Sequence, residues 1–120
     1  MVEFDPAHVV GAGGTLGAVL RYLVTQRVDV TGVPAGTFVV NVLGSFVLAL
    51  VTFLGGDSQL LLFVGTGACG SFTTFSSFSV ETVQLWEAGD PGRAVGNAAA
   101  NFVGAVLAIG GAWLLVAAVS

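Results

Sequence analysis

The chain is strongly apolar: of its 120 residues, 55% are hydrophobic and 8% are charged, and the mean hydropathy is +0.96. This composition excludes a soluble globular domain and is typical of a membrane protein. The chain contains three Arg, no Lys and seven acidic residues, which gives a formal net charge of −4. That balance argues against a nucleic-acid partner. The sequence also lacks any catalytic constellation, so we expect no enzyme.

Four apolar stretches, over residues 8–27, 36–54, 60–86 and 94–119, are each long enough to cross a membrane. Each supplies the roughly 20 residues that a spanning helix needs, and short polar connections separate them. We therefore predict an all-α membrane protein, a single four-helix transmembrane domain over residues 1–120, placed in the cell membrane as a multi-pass protein. No positively charged leader precedes the first stretch, so no cleavable signal peptide is expected.

The distribution of arginines bears on orientation. Arg27 and Arg93 fall in connections on one side of the membrane, and the side shared by the two termini carries no Lys or Arg. The positive-inside rule then places both termini outside. Because the bias rests on so few charges, insertion in both orientations stays open.

The first span combines small residues with one charge. Gly13 and Gly17 form a small-xxx-small pair, which predicts close helix packing. Arg21 lies near the end of this span. It either extends its side chain to the interface, pairs with Glu81, or caps carbonyls near a break in the third span.

Polar residues share one face of the second span. Thr37, Asn41, Gly44 and Ser45 follow the spacing i, i+4, i+7, i+8. Asn41 therefore faces a polar cavity or forms a hydrogen bond with a neighbouring helix. In the fourth span a stripe of small residues recurs at every fourth position, and Asn97 and Asn101 add polarity to its first half.

The third span is the most informative. Six of the nine residues over 71–79 carry hydroxyls, and the other three are Phe72, Phe75 and Phe78. With Gly65, Gly67 and Gly70 just upstream, the pattern favours a helix broken at mid-membrane. A broken helix persists at that depth when it is buried or lines a cavity, and its freed carbonyls can bind a small cation. The alternative is that the hydroxyls bond to i−4 carbonyls and merely bend the helix.

These residues resemble the Fluc family of fluoride channels, also called CrcB, over nearly the whole chain. Three segments carry the resemblance: G-G-T-L-G-A-V-L-R-Y (13–22), G-T-F-V-V-N-V-L-G-S-F (36–46) and T-G-A-C-G-S-F-T-T-F-S-S-F-S-V-E-T (66–82). The resemblance implies an antiparallel dimer that conducts fluoride passively out of the cytoplasm along pathways beside the dimer axis.

The resemblance also assigns residues to roles. It places eight along the anion pathway: Arg21, Thr37, Asn41, Phe75, Ser76, Ser77, Phe78 and Glu81. It implies that the backbone carbonyls of Gly70 and Thr73 hold a structural Na+ at the dimer interface. The chemistry fits independently, because a desolvated fluoride ion needs donors such as hydroxyls, an amide and polarised ring edges in place of water.

One departure concerns the fourth span. Ala105 and Ile109 stand where family members often carry hydroxyls along the pathway. The chain therefore forms either a homodimer with an altered pathway or a heterodimer with an antiparallel sibling that supplies the missing hydroxyls.

Two other functions stay open from the sequence. A small proton-coupled multidrug-type exporter needs an embedded carboxylate, for which Glu81 is the candidate. A non-conducting structural subunit of a heterodimeric fluoride channel would need no working pathway of its own.

Overall fold

The computed structural model of the chain describes residues 3–28 and 30–120, which form helices joined by short connections. Four helical segments are long and apolar enough to cross a membrane. They are α1 (Pro6–Arg27), α2 (Ala35–Phe53), a third span over Ser58–Glu87 and α6 (Pro91–Val119). The prediction of an all-α protein with four membrane-spanning helices is confirmed.

All four spans begin before the apolar stretches that predict them, and proline starts two of them. Pro6 and Pro91 occupy the first helical positions, where a missing N–H costs nothing. The Oδ1 atom of Asp5 accepts from the Ala7 N–H at 2.9 Å, and that of Asp90 accepts from the Arg93 N–H at 3.1 Å. These caps extend the helices into polar sequence that a hydropathy pattern does not register.

The third span is a composite of four helical pieces. α3 (Ser58–Leu60) leads into a π-helical segment over Leu61–Cys69, which is followed by α4 (Gly70–Phe72) and, after two non-helical residues, α5 (Phe75–Glu87). The N–H of Gly70 donates a hydrogen bond to the carbonyl of Gly65, five residues earlier, which is the spacing of a π-helix. The predicted break is present near the middle of the 30-residue span.

Two of the glycines upstream of the break, Gly65 and Gly67, lie at close packing contacts. Gly65 and Gly67 lie inside the π-helical segment, and a Cβ on Gly67 would come within 2.7 Å of the Val10 carbonyl oxygen. Across the same contact, a Cβ on Gly13 would overlap the Phe63 carbonyl oxygen. The prediction of close packing at the small residues of α1 is confirmed, because these backbones touch without side chains between them.

The helices form two groups that the third span connects. α1 packs mainly against the π-helical segment and α4, whereas α2 packs mainly against α6, and α5 also lies against α6. The third span thus leaves the neighbourhood of α1 at its break and continues beside α6. The break therefore lies between the two groups, which also touch where α2 contacts the π-helical segment and α1.

The distribution of polarity is inverted relative to a soluble protein. Large apolar side chains such as Phe102 and Leu107 are exposed, whereas Thr37, Thr74 and Asn101 are buried. Apolar surface of this kind suits contact with lipid or with another membrane-embedded chain. The buried polar side chains cluster around the break, as expected of a functional site.

The close contact at Gly13 can be tested by substitution. We expect Gly13→Ala to destabilise the protein by about 1–3 kcal/mol, because the added methyl must displace backbone atoms of the third span. Thermal unfolding in detergent, followed by loss of the monodisperse peak, measures the effect.

Gly11→Ala is the matched control in the same helix, since a Cβ there meets no heavy atom within 4 Å. It should be neutral or slightly stabilising, because Ala favours helix over Gly. Equal melting temperatures for the two variants would contradict the packing described here.

Candidate functional site at the break in the third span

Side chains cap both edges of the break. Thr73 and Thr74 adopt extended backbone angles, with ψ of 160° and 117°. The Oγ1 atom of Thr74 accepts from the Ser77 N–H at 3.1 Å and so caps the start of α5. The Oδ1 atom of Asn41, from α2, accepts from the Thr74 N–H at 2.8 Å. The break is thus a defined conformation in which side chains satisfy the N–H groups of Thr74 and Ser77.

These caps take away the helical donors of two carbonyl oxygens. In an uninterrupted helix the Thr74 N–H would bond to the Gly70 carbonyl, and the Ser77 N–H to the Thr73 carbonyl. Both N–H groups are instead taken by the side chains of Asn41 and Thr74. Gly70 is an exposed residue in the wall of an open cavity. Oxygen atoms of this kind are the ligands that hard cations prefer, and the residues fit a small cation in that respect.

Arg21 takes one of its three predicted roles. Its Nη1 atom donates to the Thr73 carbonyl oxygen at 3.2 Å, so it caps a carbonyl of the break. Within residues 3–28 and 30–120, the pair that approaches within salt-bridge distance is Arg93 with Asp90, at 3.4 Å. The predicted alternative of a direct ion pair between Arg21 and Glu81 is therefore not formed.

Asn41 joins the break to the last helix. Its Nδ2 atom donates to the Thr74 carbonyl at 3.1 Å and to Oδ1 of Asn101 at 3.3 Å. Together with the bond from the Thr74 N–H, this uses both amide protons and the amide oxygen. Of the two alternatives left open by the sequence, Asn41 forms the interhelical hydrogen bond while it also borders a cavity.

The first cavity, called the break cavity, has a volume of about 440 Å³ and opens to the surface of the chain. Its wall includes five of the predicted site residues, Asn41, Gly70, Thr73, Phe75 and Phe78. The rings of Phe75 and Phe78 lie 5.7 Å apart between centroids at an interplanar angle of 47°. Phe75 is 79% exposed, so one face of this aromatic pair is uncovered. Ala105 contributes apolar wall from α6, as its position in the sequence suggested.

The second cavity, called the arginine cavity, has a volume of about 530 Å³ and a more polar lining. Arg21, Thr37, Ser77 and Glu81 all line it. The hydroxyl of Thr37 donates to Oε1 of Glu81 at 2.8 Å, whereas Oε2 of Glu81 is buried with no hydrogen-bond partner among the described residues. Thr74 lines both cavities, so the break itself is the wall that they share.

The hydroxyl run divides into two sets. Thr73 and Ser79 donate to i−4 carbonyls, as the helix-bending alternative predicts, whereas Ser71 donates to the Gly14 carbonyl of α1 at 2.7 Å. Thr74 caps α5, and the exposed Ser76 places its hydroxyl 3.3 Å from that of Thr74. Ser77 faces the arginine cavity. The hydroxyls beside the cavities are therefore fewer than the six that the sequence displays.

Sequence reasoning passed over part of this site. Asn97, Asn101 and Thr82 form hydrogen bonds with one another or with Asn41. A signal was available, because two amides four residues apart in an apolar span share one helix face. Nothing in the sequence alone indicates that this face meets Asn41.

The fold and this site define a multi-pass membrane protein whose third span is broken between two cavities. The chain belongs to the CrcB-like family: the family model described as CrcB-like protein, Camphor Resistance (CrcB), matches residues 8–113. The resemblance to this family is thereby confirmed.

Relatives match along most of their length. The chain is 57% identical to the fluoride-specific ion channel FluC 1 of Halobacterium salinarum over 93% of this chain and 94% of the relative. It is 52% identical to FluC 2 of Haloarcula marismortui, over 97% and 98%. It is also 40% identical to FluC of Thermotoga maritima, over 86% and 87%. These relatives are named as ion channels rather than enzymes, in agreement with the expectation from the sequence.

Proposed function

We propose that the chain is a fluoride-selective ion channel, which lets toxic fluoride leave the cytoplasm by passive conduction. The observation that carries the proposal is the break itself, where hydroxyl, amide and aromatic groups border two cavities inside an otherwise apolar protein. The relatives named as fluoride-specific ion channels support the same activity. Two proposals from the sequence, an exporter and a non-conducting subunit, are separated from it by the experiments below.

The physical problem for such a channel is the hydration of fluoride. Moving a bare ion of this size into a low-dielectric interior costs of order 20 kcal/mol in the Born limit. Hydroxyl protons and the positive edges of aromatic rings can replace part of the water shell. Such groups lie on both sides of Thr74. The hydroxyl-bearing Ser77 lines the arginine cavity, and the tilted rings of Phe75 and Phe78 line the break cavity.

The proposed path begins in the arginine cavity and continues past the break. The guanidinium of Arg21 raises the local concentration of anions there. Thr37 and Ser77 line the next part of the path, and Phe75 and Phe78 follow towards the surface of the break cavity. Ser76 is exposed, with its hydroxyl 3.3 Å from that of Thr74. Asn41 borders this path with both of its amide protons engaged, so it shapes the wall as well as offering polarity. Several weak contacts in series allow the ion to leave as readily as it enters.

A second subunit is part of the proposal. The break cavity is open, and Phe75, Ser76 and Gly70 are exposed beside it at the depth of the break. Polar backbone and hydroxyl groups do not face lipid at that depth, so another protein surface must cover them. An antiparallel copy would bring its own aromatic pair and freed carbonyls to the same place.

The covering subunit is either a second copy or a sibling chain. Ala105 and Ile109 leave α6 without hydroxyls, and Ile109 is 43% exposed. A sibling with hydroxyls there would complete the pathway. The numbered names FluC 1 and FluC 2 among the relatives are compatible with such sibling pairs.

A structural Na+ follows from the same arrangement. The carbonyls of Gly70 and Thr73 would hold the ion, that of Thr73 through the lone pair that Arg21 leaves unused, and two antiparallel chains would supply twice that number of oxygens. The ion would join the two breaks without being consumed.

We expect proteoliposomes washed into Na+-free medium to lose fluoride flux, and to recover it when Na+ returns. Flux that is indifferent to Na+ over repeated washes would rule out this site.

The central experiment is anion efflux from liposomes that contain the purified chain alone. Fluoride should leave faster than from protein-free liposomes, with chloride efflux at background, because a narrow path with hard donors favours the smaller ion. An ion-selective electrode measures both. Fluoride efflux restored solely by co-reconstitution with a sibling chain would favour the heterodimer.

Phe75→Ile separates a conducting chain from a structural subunit. Loss of the ring edge should reduce fluoride flux by about tenfold, taking the aromatic contribution as roughly 1 kcal/mol or more. Phe53→Ile is the matched control, since Phe53 is 40% exposed at the end of α2. In liposomes that hold this chain together with a sibling chain, flux of the pair that Phe75→Ile leaves unchanged would identify the chain as a non-conducting partner.

Glu81→Gln separates the channel from a proton-coupled exporter. Gln keeps an acceptor for the Thr37 hydroxyl, which donates to Oε1 of Glu81 at 2.8 Å. We therefore expect fluoride flux to fall by less than about fivefold, the scale of one hydrogen bond. An exporter that exchanges protons at this carboxylate would lose transport completely, and proton-driven uptake of an organic cation would test that outcome.

A further inference from the structure

A chain of side-chain hydrogen bonds runs from α5 through α6 to Asn41, and a backbone carbonyl sets its direction. The hydroxyl of Thr82 donates to the Phe78 carbonyl at 2.7 Å. Because that uses its single proton, the Thr82 oxygen must accept from Nδ2 of Asn97, which lies 2.9 Å away. The orientation of the Asn97 amide is thereby determined, with its nitrogen towards Thr82.

The same reasoning orients the next amide. Nδ2 of Asn101 donates to the backbone carbonyl of Asn97 at 2.9 Å and to its Oδ1 at 3.2 Å. The opposite rotamer of Asn101 would place its oxygen against these two acceptors. Its Oδ1 therefore points the other way and accepts from Nδ2 of Asn41 at 3.3 Å.

The chain ends at the break. With its Nδ2 directed at Asn101 and at the Thr74 carbonyl, Asn41 presents Oδ1 to the Thr74 N–H. That bond keeps the Thr74 N–H from the Gly70 carbonyl. An Asn41 amide turned the other way would place its N–H groups against the Thr74 N–H, and the bond would be lost. Asn101 is 7% exposed, so water cannot readily replace its contribution.

We propose that Thr82, Asn97 and Asn101 are positioning residues, here called the amide relay, which fix the orientation of Asn41 and so hold the break open. The relay acts through Asn41 and leaves the contacts with the ion to other groups. Its effect on conduction rests on the proposed fluoride channel, whereas its effect on the break does not. Buried polar networks of this kind act as a unit, because loss of one member leaves its neighbours unpaired.

Thr82→Val tests the relay at the member farthest from Asn41 along the chain of bonds. It removes the hydroxyl while keeping the branched shape, so Asn97 loses the acceptor that orients it. We expect hydrogen exchange in a peptide covering residues 70–78 to accelerate about tenfold, and fluoride efflux to fall about tenfold, the scale of one unpaired buried group. Exchange is followed by mass spectrometry on the full chain in detergent.

Two variants control for the change itself. Thr82→Ser keeps the hydroxyl and should restore both readouts to within about twofold of the unmodified chain. Thr52→Val removes a hydroxyl that also donates to an i−4 carbonyl, at 2.7 Å, but at an exposed position of α2 outside the relay. It should change neither readout.

A double-mutant cycle supplies the decisive comparison. If the relay acts through Asn41, adding Thr82→Val to Asn41→Ser should change exchange at the break no further, so the two effects are non-additive. Additive effects, or exchange at 70–78 that Thr82→Val leaves unaltered, would overturn the relay. Failure of the unmodified chain to conduct fluoride would overturn the proposed function, and the exchange measurements would still decide the relay.

Discussion

The pair of hydrogen bonds between the Asn41 amide and the backbone of Thr74 is the interaction on which the site depends. It gives the N–H and the carbonyl of a non-helical residue partners inside an apolar protein, where unpaired backbone groups are expensive. Without it, the third span would gain a helical bond between Thr74 and Gly70. With it, the span stays in two pieces, and polar groups can line both sides of the interruption.

The break also organises the fold around it. Close contact between glycines of α1 and the π-helical segment anchors the first half of the third span, while α5 continues beside α6. The two halves therefore belong to different helix groups, and Thr74 forms the wall between two cavities. A continuous helix would keep one set of neighbours along its length and could not separate the cavities in this way.

Conduction of a small anion explains why the polar groups at the break are mostly neutral. Hydroxyls, amides and ring edges attract an anion without binding it as tightly as a row of cations would, which favours release. Arg21 is the one cation among the described residues of the arginine cavity, and the Thr73 carbonyl occupies part of its donor capacity. In the proposed channel, a second subunit would complete the wall beside the exposed aromatic pair and the open break cavity.

The sequence by itself determined the four spans, the break and most residues beside it, because hydropathy, helix periodicity and a run of hydroxyls are local properties. It could not decide which hydroxyls face a cavity: Ser71 and Ser79 donate to carbonyls, whereas Ser77 lines the arginine cavity. It also left open the partners of Arg21 and the meeting of Asn41 with Asn101. Those pairings join residues 52 and 60 positions apart, so packing between distant helices alone decides them.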